Sequence, residues 1–595
     1  MSEQRPRSHG PTSSKMTSAG TFTQGSSSLQ LSRDGWSLPQ TSTQRRYYTP
    51  VTLEEQTGVH DVASSNDETS TSKIDSAVHG FINVNAPVTE QTTVNKVHVT
   101  KSRVIRPLGG IEYMYNSYTS KGADSVCLMT RIESQYPITA EIAQEAFVHL
   151  LRRHPMLRAC IHPLRDGPEG EHVLVEHEPP LYDFDVLSRS DWMQMLLEMS
   201  AQAFRTPETP LIKCRMIDTK PIPYTEKIRD FNMSPKPRPQ IYPRGLFGYQ
   251  STFLFIIHHS VMDGSYSLWM FQEFMNFVDA VAMGHRFDRV VELTVQPPVE
   301  RVMLFSSDDN TDSAITSHQN ISGSLTCSVK LCHDATQDQL LKDYQTKFSD
   351  EIRRLSSQEP RNGCQTFSLS KAETSNFTRL SKQNGCRPKG VLTTAWILAL
   401  LELVYGEFTS VEIPMEYMID FRRFCDISLL GLGVPQYPGS ATMHVPLLVR
   451  LERKRKGPIT SDEFWEMSKL FDRFLTVNIF SKEVFQWILD EAEKYRQNPL
   501  QPEELGKSQY VMCVSNLGLC DGAVHGDVSS RIRLTHLHGH STVLVDDSPL
   551  FFTKTFTLNG KLCGNASFCE TYTSNVTAMT FIALFKKYIT SHSKL

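Results

Sequence analysis

The sequence predicts a mixed α/β (α+β) protein, and three observations carry that prediction. Short apolar runs rich in Val, Ile, Leu and Phe, such as Val126 to Ile132 and Thr252 to His258, read as strands. Segments with apolar residues three and four positions apart, such as Ile142, Ala146, Phe147, Leu150 and Leu151, read as helices with one buried stripe. The two kinds of segment alternate in both halves of the chain, which places helices against sheets.

Taken in order, the chain opens with a region from Met1 to about Asn95 dominated by Ser, Thr, Gln and Gly. It has too little apolar surface to offset chain entropy, so a disordered tail is expected over 1–96. Its first fifty residues carry Arg5, Arg7, Lys15, Arg33, Arg45 and Arg46 against two acidic side chains. That balance also suits an organelle transit peptide, although no amphipathic helix accompanies it. Order is expected near Val97, with the turn-rich Arg106-Pro107-Leu108-Gly109-Gly110 leading into the strand Val126 to Ile132. Thr139 can cap the helix that follows, which ends near His154-Pro155 because proline disfavours helical geometry in the residue before it. Leu157 to His162 and His172 to Glu176 form an expected hairpin, and Pro221 to Gly248 reads as a surface insertion.

Thr252 to His258 is the next strand, and Leu268, Phe271, Met275, Val278 and Ala282 line the helix after it, which Gly284 ends. A polar tract, 306–361, with a helix around Gln337 to Leu355, is the expected crossover between a first subdomain, 97–305, and a second, 362–595. The second half reads as strand Cys364 to Leu369, helix Lys371 to Gln383 and a buried apolar helix Pro388 to Val404. Strands then follow at Ser410 to Ile419, Met443 to Leu451, Gln509 to Ser515, Ser541 to Val545, Leu550 to Leu558 and Lys561 to Phe568, before a closing helix Asn575 to Tyr588.

Composition narrows the partners. A formal net charge of -4 with no basic block interleaved with aromatics removes the electrostatic footprint of nucleic-acid binding. The twelve cysteines lack CxxC spacing and read as reduced, mostly buried thiols. No apolar run follows the first basic residues, so no secretory signal is expected, and Val391 to Tyr405 is short for a membrane span and carries Glu402.

The chemistry concentrates in FLFIIHHSVMDGSYSLWMFQEF, Phe253 to Phe274, where an apolar strand ends in His258 and His259 with Asp263-Gly264 close behind. A neutral imidazole held at one nitrogen is the usual general base near pH 7. Neighbouring side chains on a strand point to opposite faces, so one histidine is expected to be structural and the other, His259, chemical. Asp263 could orient that histidine or anchor the turn to an arginine, and both readings stand at this level.

His258-His259-Ser260-Val261-Met262-Asp263-Gly264 resembles the HHxxxDG motif of the CoA-dependent acyltransferase superfamily, closest to its alcohol acetyltransferase and condensation-domain-like branch. Leu150 to Arg158, Gly390 to Ala399, Met418 to Arg422 and Val514 to Gly518 resemble further segments of that superfamily in the same order. No Asp-Phe-Gly-Trp-Gly segment occurs, which separates the chain from the plant BAHD branch. The resemblance implies two chloramphenicol-acetyltransferase-like subdomains with a tunnel between them. It implies an acyl-CoA donor as co-substrate, a small alcohol or amine acceptor, and no resident cofactor or metal. It further implies His259 as general base, Asp263 paired with Arg422 in a structural role, and Gly264 N–H with Ser515 or Asn516 as oxyanion donors. His258 is the supporting histidine. A catalytically silent acyl-ligand or protein-binding member of the fold and a thioester hydrolase are the alternatives.

Three other features have plain readings. His536, His538 and His540 alternate as metal ligands could, but read as a polar loop or strand edge, and Asp546-Asp547 reads as a turn. Ser593-Lys594-Leu595 matches the peroxisomal address, so an import receptor is an expected partner and the expected location is peroxisomal, with cytoplasmic the alternative. A monomer is the expected assembly.

Overall fold

The computed structural model describes residues 101–592 apart from 121, 165–170, 203, 205–206, 208, 223–246, 306–316, 322–324, 333–338, 359–360, 427, 429, 431–436, 498–509, 522–530 and 544–548. The expected tail 1–96, most of the insertion at Pro221 to Gly248, Asp546-Asp547 and Ser593 to Leu595 lie outside those residues.

Three sheets organise the described chain. A small antiparallel sheet joins β1 (Lys101–Pro107), β3 (Ala159–Pro163) and β4 (His172–Glu178) in the order β1-β4-β3. A five-stranded sheet contains β2 (Val126–Ser134), β5 (Asp183–Leu187), β6 (Ile212–Pro221) and β7 (Tyr249–Ile257). An eight-stranded sheet contains β8 (Ser317–Ile321), β9 (Leu325–Leu331), β10 (Asn362–Ser368), β11 (Ser410–Asp420), β12 (Thr442–Arg453) and β13 (Met512–Leu519). After β14 (Ile532–His540), it is completed by β15 (Phe551–Leu558) and β16 (Lys561–Cys569), in the order β10-β16-β15-β13-β11-β12-β9-β8.

The halves interlock through β14. Although it lies late in the chain, it pairs antiparallel with β2 at the edge of the five-stranded sheet, in the order β14-β2-β7-β6-β5. The expected strand Ser541 to Val545 is thus displaced, since 541–543 are irregular and the strand ends at His540. The polar tract read as a crossover contributes β8 and β9 to the large sheet, and its helix breaks at Phe348 into Gln339–Lys347 and Ser349–Leu355.

The two larger sheets pack helices on their apolar faces. The helices Ala140–Arg153 and Gly264–Ala282 cover the five-stranded sheet, with Phe147, Leu150, Phe271 and Phe274 fully buried against Phe253 and Phe255. Thr139 caps the first through its side chain to Ile142 N at 3.3 Å, and Gly284 follows the second at φ +79°, where a side chain would be strained. The helix Pro388–Tyr405 is long and apolar enough to cross a membrane, yet it is enclosed on nearly every side. Trp396 at its centre stacks on Phe585 with ring centroids 3.5 Å apart, from the helix Asn575–Ser591. Such enclosure makes it the spine of the larger core.

Candidate active site

Beyond β7 the chain turns through His258 to Met262 and enters the helix Gly264–Ala282 at its N-cap, Asp263. Asp263 is fully buried, and each of its oxygens is occupied. Oδ1 accepts from Tyr266 N at 3.0 Å, capping the helix. Oδ2 accepts from Ala441 N at 2.7 Å and faces Arg422 Nη1 at 2.9 Å. Arg422 also bonds Asp420 Oδ1 at 3.1 Å and donates to the carbonyls of Tyr437 and Gly439 at 3.1 and 2.5 Å. The carboxylate therefore clamps the histidine turn to the segment between β11 and β12. Ser260 Oγ ties the same turn to the helix Gly110–Thr119 by donating to Glu112 O at 2.7 Å.

The adjacent histidines divide as alternation leads one to expect, although both stand just past the end of the strand. His258 has no exposed surface; Phe204 meets its ring edge-on and Ser260 N donates to Nδ1 at 3.3 Å. Burial, helped by His259, pushes its pKa down to about 3, so it is a neutral packing residue. His259 keeps 6% of its surface exposed and stacks its ring on Tyr115, centroids 3.8 Å apart and planes 7° from parallel. Its Nδ1 stands 3.4 Å from Ser440 Oγ. In the tautomer whose Nδ1–H donates to Ser440 Oγ, Nε2 carries the lone pair. Burial pushes the His259 pKa below 6.5 against the opposing pull of the Asp124 and Asp263 carboxylates, which leaves the ring neutral at pH 7.

Gly264 opens the helix, where geometry leaves its N–H without an intrahelical partner. A Cβ there would lie 2.9 Å from Leu517 Cδ2, so the Ser515-Asn516-Leu517-Gly518 end of β13 packs directly on the motif turn. Ser515 is buried, opposite Lys554 across β13 and β15. Asn516 Oδ1 accepts from Gly518 N at 2.9 Å, which leaves its amide nitrogen as the donor. The structure thus gathers His258, His259, Asp263, Gly264 and Arg422 at one junction, with the β13 turn against it.

Sequence reasoning missed four neighbours. Tyr115 lies on the helix Gly110–Thr119, which a reading of Arg106 to Gly110 as a plain turn overlooks; the spacing of Ile111 and Tyr115 was its available signal. Tyr115 is fixed there by donating from its hydroxyl to Thr442 O at 2.9 Å. Asp124 precedes β2 at φ +48°, uncommon for a residue with a side chain, and faces His444 Nε2 at 3.6 Å. Burial resists its charge, but His259, His444 and Lys554 outweigh that and hold its pKa at about 2. Ser440 stands two residues before β12 and His444 just inside it, and no local pattern marks either.

Two of the three histidines of β14, His538 and His540, are buried packing groups. His536 is exposed, His538 Nε2 lies 3.7 Å from Cys364 Sγ, and His540 Nδ1 lies 2.9 Å from Ser567 Oγ. Burial drives the pKa of His538 down to about 3 and that of His540 well below 6.5.

No family model and no curated protein matches the sequence. Solved structures do match. Trichothecene 15-O-acetyltransferase from Fusarium sporotrichioides superposes over 82% of this chain and 95% of its own, with a TM-score of 0.53 at 11% identity. Polyketide synthase associated protein 5 from Mycobacterium tuberculosis covers 83% of this chain and 98% of its own, with a TM-score of 0.48 at 13% identity. The epimerization domain from the third module of tyrocidine synthetase B covers 84% and 99%, with a TM-score of 0.48 at 13% identity. The fold is therefore the mixed α/β, two-lobed chloramphenicol-acetyltransferase-like architecture.

Proposed function

We propose that the protein is an acyltransferase that moves an acyl group from a CoA thioester to the hydroxyl or amine of a small acceptor, with His259 as general base. The observation that carries the reading is the neutral imidazole of His259, stacked on Tyr115 with Nδ1 facing Ser440 Oγ, which leaves Nε2 as the nitrogen proposed to take the proton. An imidazole of depressed pKa is already deprotonated at pH 7, so it can accept a proton without first losing one.

In this reaction Nε2 takes the proton from the acceptor as its oxygen or nitrogen bonds to the thioester carbonyl carbon. The tetrahedral oxyanion collapses, the carbon–sulfur bond breaks, and the imidazolium returns its proton to the departing thiolate. Positioned proton transfer of this kind contributes about 10²- to 10⁴-fold. Gly264 N–H and the side chain of Ser515 or Asn516 are the proposed donors to the oxyanion. Asp263 and Arg422 hold the turn and take no proton. The route by which donor and acceptor reach Nε2 between the lobes belongs to this proposal.

The test is thiol release from a series of acyl-CoA thioesters with a panel of alcohols and amines, followed by mass analysis of the acceptor. The expected result is release that depends on an acceptor and an acceptor heavier by the acyl mass. Release without any acceptor would assign water as nucleophile and replace transfer with hydrolysis, and no release across the panel would remove the enzymatic reading.

A further inference from the structure

One face of the large sheet presents a cluster that acyl transfer does not use. Glu416 on β11 and Cys513 on β13 are paired directly across parallel strands. His444 on β12 is paired with Met418, two residues along from Glu416 and therefore on the same face. The three strands are adjacent in the sheet, so the three side chains rise from one rigid surface.

Their polar atoms converge. His444 Nδ1 lies 3.2 Å from Glu416 Oε2 and 3.5 Å from Cys513 Sγ, and one donor atom from each residue falls within 4.8 Å of the others. A ring nitrogen offers a single hydrogen or a single lone pair, so hydrogen bonding satisfies one of these contacts at a time. A cation satisfies all three together. Tetrahedral zinc, with Zn–N and Zn–O of about 2.0 Å and Zn–S of about 2.3 Å, sets neighbouring ligands about 3.3 Å apart for N and O and about 3.5 Å apart for N and S. The separations from Nδ1 match both edges. Across the ring, His444 Nε2 faces Asp124 Oδ2 at 3.6 Å, the carboxylate–histidine–metal arrangement that orients an imidazole ligand and strengthens it.

We infer that Glu416, His444 and Cys513 form a Zn²⁺ site with Asp124 as its supporting carboxylate. A carboxylate, an imidazole and a thiolate together suit a borderline metal better than a hard cation such as Mg²⁺ or Ca²⁺. Binding replaces the thiol proton of Cys513, which leaves to solvent. Three protein ligands leave the fourth tetrahedral position for water or a substrate oxygen. The site stands independently of the acyl-transfer reading, and its test needs no turnover.

The experiment uses the full chain stripped with a chelator, then titrated with Zn²⁺ in competition with a chromophoric chelator and separately with Co²⁺. The expected result is one equivalent of Zn²⁺ per chain and a thiolate-to-cobalt charge-transfer band. Cys513→Ser is expected to abolish that band and weaken Zn²⁺ binding by at least about 100-fold. Asp124→Asn should keep the band and weaken binding about 10- to 100-fold, as outer-shell carboxylates do. Glu416→Gln, read alongside circular dichroism, should weaken binding without loss of fold and serves if Cys513→Ser does not fold. Equal Zn²⁺ affinity in wild type and the ligand variants, or cobalt binding without a thiolate band, would overturn the site.

Discussion

In the turn from His258 to Gly264 the protein supplies partners for nearly every polar group, whereas on the face of the large sheet Glu416 and Cys513 compete for one nitrogen of His444. The turn is closed: Asp263 has a backbone donor for each oxygen plus Arg422, Ser260 has Glu112, and His258 is sealed. What remains there is Nε2 of His258, buried without a hydrogen-bond partner, the Gly264 N–H at the start of the helix, and Nε2 of His259, the nitrogen assigned to the base. On the sheet face Nδ1 of His444 is shared between two partners, and Nε2 of the same ring faces Asp124. The contrast teaches that the turn is fixed by separate partners for the groups that shape it, while the sheet face concentrates several partners on one imidazole, the arrangement from which the cation site is inferred.

The largest expected effect breaks the closed side. Arg422→Ala leaves the Asp263 carboxylate buried without its cation and is expected to cost about 3–5 kcal/mol of stability in denaturant titrations. A loss under about 1 kcal/mol would show that the two backbone donors suffice and that the clamp is not electrostatic.

Acid is the next lever. His258 and His538 are buried neutral with pKa values near 3, and once unfolded they take up protons below pH 6.5. Their folded pKa values lie below the unfolded ones, so stability is complete above pH 6.5 and is lost as pH falls from 6.5 toward 3. Each contributes a loss of about 2 kcal/mol between pH 6.5 and 5. Denaturation midpoints that stay flat over that window would contradict the neutral assignment.

Tyr115 gives a smaller effect that sharpens the contrast at the base itself. Tyr115→Leu removes a stacking contact worth about 0.5–1.5 kcal/mol, and a roughly 3- to 10-fold fall in acyl transfer is expected. Tyr115→Phe keeps the ring, loses only the bond to Thr442 O, and should stay closer to wild type. Equal losses in the two variants would assign the effect to the hydroxyl.

The two regions also differ in how far the sequence discloses them. The turn is contiguous, so His258, His259, Asp263 and Gly264 announce themselves over seven residues, and Arg422 is visible at the end of an apolar strand. The helix Lys371–Gln383 is equally legible, because Ser370 and Glu373 form a capping box at its start. Asp124, Glu416, His444 and Cys513 are scattered over nearly four hundred positions, and only strand register unites them, as a ladder of pairings that local periodicity does not encode. β14 is the edge strand that one of the two readings of its histidines allowed, but its partner β2 is just as remote in sequence. Its histidines and Gly539 suit a polar loop or a strand edge, and the structure adds that His538 and His540 are buried against Cys364 and Ser567 on the facing sheet. The helix Ser461–Thr476 carried a readable signal that was passed over: Thr460 and Glu463 form a capping box ahead of Phe464, Met467, Phe471 and Phe474.

The most direct trial of the account compares wild type with His259→Ala in acceptor-dependent thiol release at saturating acyl-CoA. The expected outcome is a fall of at least about 100-fold with the fold intact by circular dichroism. Equal rates in the two proteins would contradict the assignment of His259 as the base.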